Sequence, residues 1–511
     1  MMRCVTNRRV TNRCVTKHWA TKHRSTPRRA AATALALLLA VSTAWAIDAD
    51  LKKKVKDPDS FKRSDAARAL AKDGSPAAAK LLVELLKDEN TYVRDHTVEA
   101  CRRLVDPDAL VVIAKAGRDK DPLLRRNVAA ALGGTKQEAA LDALEKLARS
   151  DREPAVRAGA LDALWGFRAS ERAAAIATSC ASDKDPAVRA AAVEAVGRMQ
   201  AASAADVAIA ALDDADEGVR CVARMELPYV AEGRATEDLA VAAAAPGWRT
   251  RAQAVDNAFA LRNADALTTL CALLSDTRLR VAASAHAALI GLTGKDLGRD
   301  RELWEAWWAA NRETWEPPKK ASFGVPPETA NGAGTRAHYY GLEILSNHVV
   351  FVLDASGSMR DKLGTGTRWD KARNELDMAL TALPDGTHVN VIIFQREARA
   401  AFSKPKPLGK KTRRDLSSFA RKTSPGQAGN LLAGMLLALE QEDSDTVYLL
   451  SDGAPSFGDM VLKGRVRTAI RARNRSCKLV LNAIGLGAEK STERSFLEGL
   501  ARDSSGRVVF K

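Results

Sequence analysis

The architecture of the first half of the chain can be inferred from one seven-residue segment, Asp183-Lys184-Asp185-Pro186-Ala187-Val188-Arg189. A short polar side chain such as that of Asp185 caps the free N–H groups at the start of a helix. Proline fits the first helical position, where its missing N–H is not needed. The small apolar residues after Arg189 allow close packing between helices. The segment therefore predicts a turn that leads into a packed helix.

Segments of this kind recur from residue 48 to about 295, and each contains one arginine on which they can be aligned. The aligned residues are Arg63, Arg94, Arg125, Arg157, Arg189, Arg220, Arg251 and Arg280, at steps of 31, 31, 32, 32, 31, 31 and 29 residues. Each unit has room for two short helices, and a single unit cannot bury its own apolar face. About eight units must therefore stack into an all-α solenoid.

The unit D-x-x-P-x-V-R resembles HEAT repeats of the short type that also occurs in bilin-lyase subunits. The resemblance covers about half the chain, and it implies a ladder of Asp and Arg side chains between adjacent repeats. A lyase activity is not implied, because many plain scaffolds share the fold.

A tryptophan-rich segment, LWEAWWAANRETW at residues 303–315, follows the last repeat. Trp304, Trp307 and Trp308 have the spacing of one helix face. We interpret residues 299–316 as a helix that caps the solenoid, and the alternative is an aromatic platform for a glycan or peptide. Residues 317–337 are rich in Pro, Gly, Ala and Thr, which predicts a linker.

Residues 1–46 are interpreted as a basic leader and signal peptide. Nine basic and no acidic residues precede an apolar run at 30–46 that ends in Ala44-Trp45-Ala46, a small-residue cleavage signal. The run is shorter than the ~20 residues of a spanning helix, although a retained anchor is the alternative. Residues 3–22 repeat a five-residue unit, which indicates translated upstream DNA or a low-complexity arm. We expect cleavage near Ala46, export to the periplasm or medium, and no membrane span in the mature chain.

The periodicity changes after residue 338. Apolar strand-like runs at 349–353, 389–394, 446–450, 479–484 and 508–510 alternate with helical patterns near 368–383, 430–441, 460–475 and 491–503. This alternation predicts a mostly parallel sheet covered on both faces. The chain is thus predicted to be multidomain, with a solenoid at 47–298 and a doubly wound α/β domain at 338–511. In such a sheet, ligands bind beyond the carboxyl ends of the strands.

Oxygen-bearing side chains stand at that position after two strands. Asp354, Ser356 and Ser358 alternate along the loop after the first strand, and Asp452 follows the strand that ends at Ser451. Carboxylate and hydroxyl oxygens are ligands that suit Mg²⁺. The spacing predicts that these four side chains converge on a hard cation.

This arrangement resembles a von Willebrand factor type A domain over residues 338–511. Taken with the leader and repeats, the whole chain resembles a secreted protein of bacterial type that joins HEAT repeats to such a domain. The resemblance implies a metal-ion-dependent adhesion site, with Asp354, Ser356, Ser358 and Asp452 as ligands of Mg²⁺ (or Mn²⁺) and a partner's acidic side chain completing the shell. Where the family carries a ligand threonine this chain has Gly429, so the site is partly degenerate. Water, Ser424 or Gln427 are the alternatives that would fill the gap.

The net charge of +16 is distributed unevenly. Residues 47–336 hold 43 basic and 44 acidic residues, whereas residues 337–511 hold 27 basic and 19 acidic ones. Two basic clusters, at 404–422 and 463–478, make an acidic protein or an anionic envelope polymer a candidate partner, and solvated faces are the alternative. The candidate partner residues are Lys410, Lys411, Arg413, Arg414, Arg467 and Arg471. Nucleic acid is a poor candidate, because no basic motif is interleaved with aromatic residues.

The function that these patterns favour is a non-enzymatic extracytoplasmic scaffold whose type A domain binds a protein ligand through a divalent cation. The alternative is a metal-independent binder of anionic polymer or acidic protein through the two basic clusters. A metal-dependent enzyme is the third hypothesis, and it is disfavoured because no general base accompanies Asp354 and Asp452. Neither a phosphate-binding loop nor a dinucleotide fingerprint occurs in the sequence.

Overall fold

The computed structural model describes residues 47–321, 337–453, 455–487 and 491–511. The leader with its cleavage signal, and residues 322–336 of the predicted linker, lie outside the described residues. The helical region and the α/β domain belong to one unit, Asp48–Lys511. None of the helices in the described ranges has the length and apolar character needed to span a membrane.

Short helices joined by turns occupy the described chain from Ala49 to Asn311. They are α1 (Ala49–Lys54), α2 (Ser60–Asp73), α3 (Pro76–Leu86), α4 (Thr91–Cys101), α5 (Pro107–Lys115), α6 (Pro122–Thr135), α7 (Leu141–Ser150), α8 (Pro154–Leu164), α9 (Glu171–Cys180), α10 (Pro186–Met199), α11 (Ala204–Ala210), α12 (Glu217–Val230), α13 (Glu232–Ala243), α14 (Trp248–Leu261), α15 (Ala264–Leu273), α16 (Leu279–Thr293) and α17 (Arg301–Asn311). The even-numbered helices from α2 to α16 pack against one another in one row. The predicted two-helix repeat is confirmed.

An arginine ladder joins successive repeats. The side chain of Arg157, for example, donates from Nη1 to the carbonyl of Asp151 in its own turn and from Nε and Nη2 to both carboxylate oxygens of Asp183 in the next turn, at 2.7–2.8 Å. The equivalent pairs are Arg63–Asp88, Arg125–Asp151, Arg189–Asp214 and Arg251–Asp276. These two-pronged contacts between poorly exposed partners fix the register of the stack.

The last repeat departs from the register that the sequence predicts. The ladder arginine is the fourth residue of its helix in the earlier repeats, and the fourth residue of α16 is Ala282. In the earlier repeats, the aspartate that binds the preceding ladder arginine lies six residues before the next ladder position. Asp276, which binds Arg251, lies six residues before Ala282 and so confirms this register. The final step is therefore 31 residues rather than 29, and Arg280 is not a ladder residue.

Helix α17 covers the end of the solenoid. Trp304 is fully buried and donates from Nε1 to the carbonyl of Gly298 at 2.8 Å. Trp308 is also buried, and its Nε1 donates to Thr268 Oγ1 of α15 at 3.1 Å. Both rings thus belong to the core of the last repeats, so they do not form an open platform for a ligand.

The α/β domain is built on one mostly parallel sheet, with two short hairpins beside it. Its strands are β1 (His338–Tyr339), β2 (Leu342–Glu343), β3 (His348–Asp354), β4 (Lys362–Leu363), β5 (Gly366–Thr367), β6 (His388–Phe394), β7 (Ala398–Ala400), β8 (Lys406–Pro407), β9 (Thr446–Ser451), β10 (Val480–Gly485) and β11 (Val508–Phe510). The sheet has the order β11-β10-β9-β3-β6-β7, with β8 also pairing with β6. Within the described part of this sheet, β7 and β8 run antiparallel to β6, and the other neighbouring strands are parallel.

Helices cover both faces of this sheet, as predicted. They are α18 (Arg368–Ala382), α19 (Lys410–Lys422), α20 (Leu431–Leu439), α21 (Lys463–Cys477) and α22 (Ser491–Arg502). Phe351 and Leu353 face a core that includes Leu376 and Leu416, whereas Val350 and Val352 face one that includes Met435 and Val466. Because β6 and β9 lie on opposite sides of β3, the strand order reverses at β3, where doubly wound folds bind their ligands.

Candidate functional site

The two candidate loops meet at the carboxyl ends of β3 and β9. These strands are parallel neighbours, with Leu353 opposite Leu450, so their last residues Asp354 and Ser451 share one edge of the sheet. Asp354 is 2% exposed, and Asp452, the residue after β9, is 8% exposed. The structure therefore brings the two predicted carboxylates together from positions about a hundred residues apart in the chain.

The first loop holds its hydroxyls close to Asp354. The Ser356 N–H donates to Asp354 Oδ1 at 2.8 Å, and the hydroxyls of Ser356 and Ser358 lie 3.1 Å apart. Ser451 Oγ donates to Asp354 Oδ2 at 2.7 Å. Ser451 was not predicted as part of the site, although its position just before Asp452 was a usable signal.

Burial dominates the electrostatics of this site. It raises the pKa of Asp354 to about 6, and the negative charge of Asp452 acts in the same direction. Two carboxylates drawn out of water repel each other unless a cation or proton lies between them. The site is therefore arranged to gain from a positive charge placed beside both aspartates.

Gly429 stands in the second loop, against the first. A Cβ atom added at this position would lie 3.1 Å from the Ser356 Cβ and 3.6 Å from Asp354 Oδ1. A threonine here would thus reach the site with a small adjustment of its neighbours. The Gly429 N–H donates to Ser456 Oγ at 2.9 Å, so Ser456, rather than Ser424 or Gln427, is the hydroxyl that the structure places against this backbone.

A cation and an aromatic ring border the site. Arg368, at the start of α18, has its Nη1 3.9 Å from Asp452 Oδ2 and 3.3 Å from Asp361 Oδ2. Phe457 is 38% exposed and lies under the guanidinium of Arg396, 4.9 Å from the ring centre. The positive charge of Arg368 disfavours a second cation beside Asp452, and the same charge attracts an acidic ligand.

The donor set fits a magnesium-type cation, though with few protein ligands. Among the described residues, no three His, Cys, Asp or Glu side chains gather closely enough to form a metal cluster. The site instead offers two carboxylates and two hydroxyls, and Mg²⁺ commonly keeps several waters in its shell. Gly429 supplies no side-chain oxygen, so a cation held here would depend on Asp354, Ser356, Ser358 and Asp452.

The basic cluster at 463–478 lies against the solenoid. Among the described residues, the ion pairs that cross between the two halves of the chain are Arg465–Asp95, Arg475–Asp162, Arg475–Glu194, Arg471–Glu194, Lys478–Asp256, Arg278–Asp443 and Arg278–Asp445. Arg467 is paired with Asp503 inside the α/β domain. The partner of Arg471 in the structure is therefore the solenoid, and Arg467 already has an internal partner.

Sequence reasoning missed the acidic side of this contact. Asp162, Glu194 and Asp256 each lie five residues after a ladder arginine, so they form a row at repeat spacing. That row faces α21, where Arg471, Arg475 and Lys478 lie about one turn apart. A recurring acid at one repeat position was the signal available in the sequence.

The loop that follows β9 and begins with Asp452 connects the candidate site with the solenoid. Its Gly458 carbonyl accepts from Thr91 Oγ1 at 2.7 Å. The N–H groups of Val461 and Leu462, just before α21, donate to Asp95 Oδ2 at 2.7 and 2.9 Å. Asp95 therefore binds the backbone just before a helix that belongs to the other half of the chain.

The other basic cluster lies on β8, α19 and the loops beside them. Lys404, Lys406, Lys410, Lys411 and Arg414 are exposed. Arg413 is only partly exposed, since it binds Asp385 and the carbonyls of Leu380 and Leu383. Of the predicted partner residues, Lys410, Lys411 and Arg414 thus present their charges to solvent.

Comparison with known proteins supports both halves of this architecture. Residues 79–165 and 146–227 match HEAT repeats, and residues 347–510 match the von Willebrand factor type A domain. The chain therefore contains HEAT repeats followed by a type A domain, a domain that typically mediates protein interactions.

Distant relatives share part of the chain. It is 29% identical to human inter-alpha-trypsin inhibitor heavy chain H4 and 26% identical to heavy chain H1, each over 191 residues. Each match covers 34% of this chain and 19% or 20% of the heavy chain, so the chain spans about a fifth of these curated relatives. A solved von Willebrand factor type A protein from Catenulispora acidiphila is 16% identical, covers 32% of this chain and 38% of its own, and has a TM-score of 0.25.

Proposed function

We propose that this chain is a non-enzymatic extracytoplasmic scaffold whose type A domain binds a protein ligand through a divalent cation. The observation that carries the proposal is the convergence of Asp354, Ser356, Ser358 and Asp452 at the strand-order reversal. The leader at residues 1–46 supports an exported location, because basic, apolar and small residues follow one another in the order of a signal peptide.

The chemistry of the site favours an acidic ligand side chain. Burial, and then the charge of Asp452, raise the pKa of Asp354, and Mg²⁺ or Mn²⁺ between the aspartates would offset both effects. The waters left in its shell are the positions that a carboxylate from a partner would take. Arg368 adds a second positive charge on the same side. An acidic partner residue would therefore meet the cation and a guanidinium together.

The direct test is a calorimetric titration of the full chain with Mg²⁺ and Mn²⁺. We expect saturable binding by the wild type and its loss in Asp354→Asn. Asp415→Asn on α19 is the matched control, because it removes the same charge from a partly exposed position in the same domain. If neither metal binds the wild type, or if both variants bind alike, the adhesion-site mechanism is refuted.

A substitution at Gly429 tests the same site by gain of affinity. Gly429→Thr adds a hydroxyl on a Cβ atom that would lie 3.6 Å from Asp354 Oδ1, at the cost of a small shift of Ser356. We expect Mn²⁺ to bind this variant about tenfold more tightly than it binds wild type, since one ligand oxygen is added. Gly429→Val has nearly the same shape without the hydroxyl, and it should show no gain. Equal affinities for the two variants would contradict the proposed geometry.

A second candidate function is metal-independent binding of an anionic polymer, and the exposed charges of α19 favour it. Here the surface is Lys404, Lys406, Lys410, Lys411 and Arg414. Polyglutamate is a suitable probe, and its binding should weaken with salt yet survive EDTA. The triple variant Lys410→Gln/Lys411→Gln/Arg414→Gln should bind at least tenfold more weakly. Binding that EDTA abolishes would exclude this candidate.

A further inference from the structure

A cavity of about 280 Å³ lies between the solenoid and the type A domain. Its basic lining residues are Arg198, Arg280, Arg467, Arg471, Arg475 and Lys478. The acidic lining residues are fewer and already paired: Asp503 with Arg467, Asp256 with Lys478, and Glu194 with three arginines. Within the described residues, five of these six basic residues form an ion pair, and Arg280 does not.

Burial leaves N–H groups of Arg280 without an acceptor in the described part of the chain, although the guanidinium packs against the ring of Trp248. Arg280 is 8% exposed, and within the described residues its Nε and Nη1 have no hydrogen-bond partner. The ladder does not use it, because Ala282 occupies the ladder position of α16. Two carboxylates act on Arg280 at longer range: Asp256, which pairs with Lys478, and Asp445, whose Oδ1 accepts from Ser346 and Thr446 and whose Oδ2 has no hydrogen bond within the described residues.

Two further guanidinium groups, which are paired with Glu217 and Asp443, share a buried ring with Arg280. The Arg280 guanidinium lies 5.6 Å from the ring centre of the buried Trp248, and those of Arg249 and Arg278 lie 5.3 and 5.6 Å from the same ring. A buried guanidinium with unpaired N–H groups is costly unless a charged acceptor satisfies it. Its planar fork matches the two oxygens of a carboxylate or phosphate group.

We propose that this cavity binds a small oxyanion, a phosphate or carboxylate group, with Arg280 as its anchor. Both halves of the chain line the cavity, so the bound ligand contacts the solenoid and the type A domain and stabilises their association. The volume is just below the usual range for small-molecule sites, which suits a small anion or compact metabolite rather than a polymer. The site is separate from the aspartates at the end of β3 and β9.

Thermal unfolding and calorimetry of the full chain test this proposal. Sodium phosphate and sodium malonate serve as the probes, each compared with sodium chloride at equal ionic strength. We expect at least one anion to raise the unfolding midpoint of the wild type and to bind saturably. The stronger of the two identifies whether phosphate or carboxylate is preferred. Arg280→Met should bind that anion at least tenfold more weakly.

A matched variant separates this site from general attraction to a basic protein. Arg399→Met removes the same charge from an exposed position on β7 and should bind the anion as wild type does. Arg280→Gln provides a second test if Arg280→Met does not fold. Absence of binding by either anion, or equal binding by wild type and the Arg280 variants, overturns the proposal. So does a crystal structure in phosphate and malonate that shows only water beside Arg280.

Discussion

Asp95 makes several of the contacts between the two halves of the chain, and its removal should strongly lower the free energy of unfolding. Its side chain is fully buried, pairs with Arg465, and accepts from the Val461 and Leu462 N–H groups. Asp95→Ala leaves Arg465, itself 8% exposed, as a buried cation without its carboxylate. Breaking a buried pair in this way costs about 3–5 kcal/mol, and the two orphaned N–H groups act in the same direction. We expect a loss of at least about 4 kcal/mol.

Urea unfolding followed by tryptophan fluorescence measures this loss. Glu99→Ala is the matched control on the same helix, because Glu99 forms an exposed pair with Arg102 and should cost at most about 1 kcal/mol. The double variant Asp95→Ala/Arg465→Met should recover at least half of the lost stability, since no buried charge remains unpaired. A cost for Asp95→Ala no larger than that of Glu99→Ala would refute the reasoning.

Three further predictions concern stability. Arg157→Met removes a two-pronged clamp on Asp183 and should lower the free energy of unfolding by about 3 kcal/mol in a urea melt; a loss under 1 kcal/mol would contradict the ladder. Trp304→Ala empties a fully buried site and should cost about 3–5 kcal/mol, measured by calorimetry as a lower unfolding temperature; an unchanged temperature would contradict the capping role of α17. Burial and the charge of Glu194 raise the pKa of Glu226 from 4.5 to about 8. Between these two pH values the folded chain keeps a proton that the unfolded chain releases. The free energy of unfolding should therefore fall as the pH rises from 4.5 to 8, by up to about 5 kcal/mol. Glu226→Gln should flatten that fall, and parallel pH profiles for variant and wild type would exclude Glu226 as its source.

Local chemistry was enough to predict most of the architecture. Capping aspartates, prolines at the first helical position and the 31-residue spacing predict the repeats, because each acts within a few residues of its own helix. The predicted register of the last repeat was wrong by two residues. The alignment was made on arginines, and Arg280 is the arginine nearest to the true ladder position, Ala282. Asp276 settles the register only through its contact with Arg251, 25 residues earlier.

Those parts of the site that lie at strand ends were predictable from the sequence, because strand ends can be recognised from the apolar runs. Asp354 and Asp452 follow apolar strands, and parallel strands bring their ends to one edge. Ser456 beside Gly429 and Arg368 beside Asp452 depend on loop paths, which no periodicity in the sequence encodes. The same holds for the contact between the halves, because the charges of Arg471 and Arg475 attract any acidic surface, and the sequence did not say that this surface lies in the same chain.

Ala282 also bears on how the repeat array can change in length during evolution. Each clamp joins the arginine of one repeat to the aspartate of the next, so duplication of an internal repeat copies both members and preserves the register. A repeat inserted after α16 would meet an alanine and would have to displace α17 with its buried Trp304. Addition of repeats is therefore favoured inside the array. It is disfavoured after α16, where the ladder arginine is missing and α17 covers the last repeat.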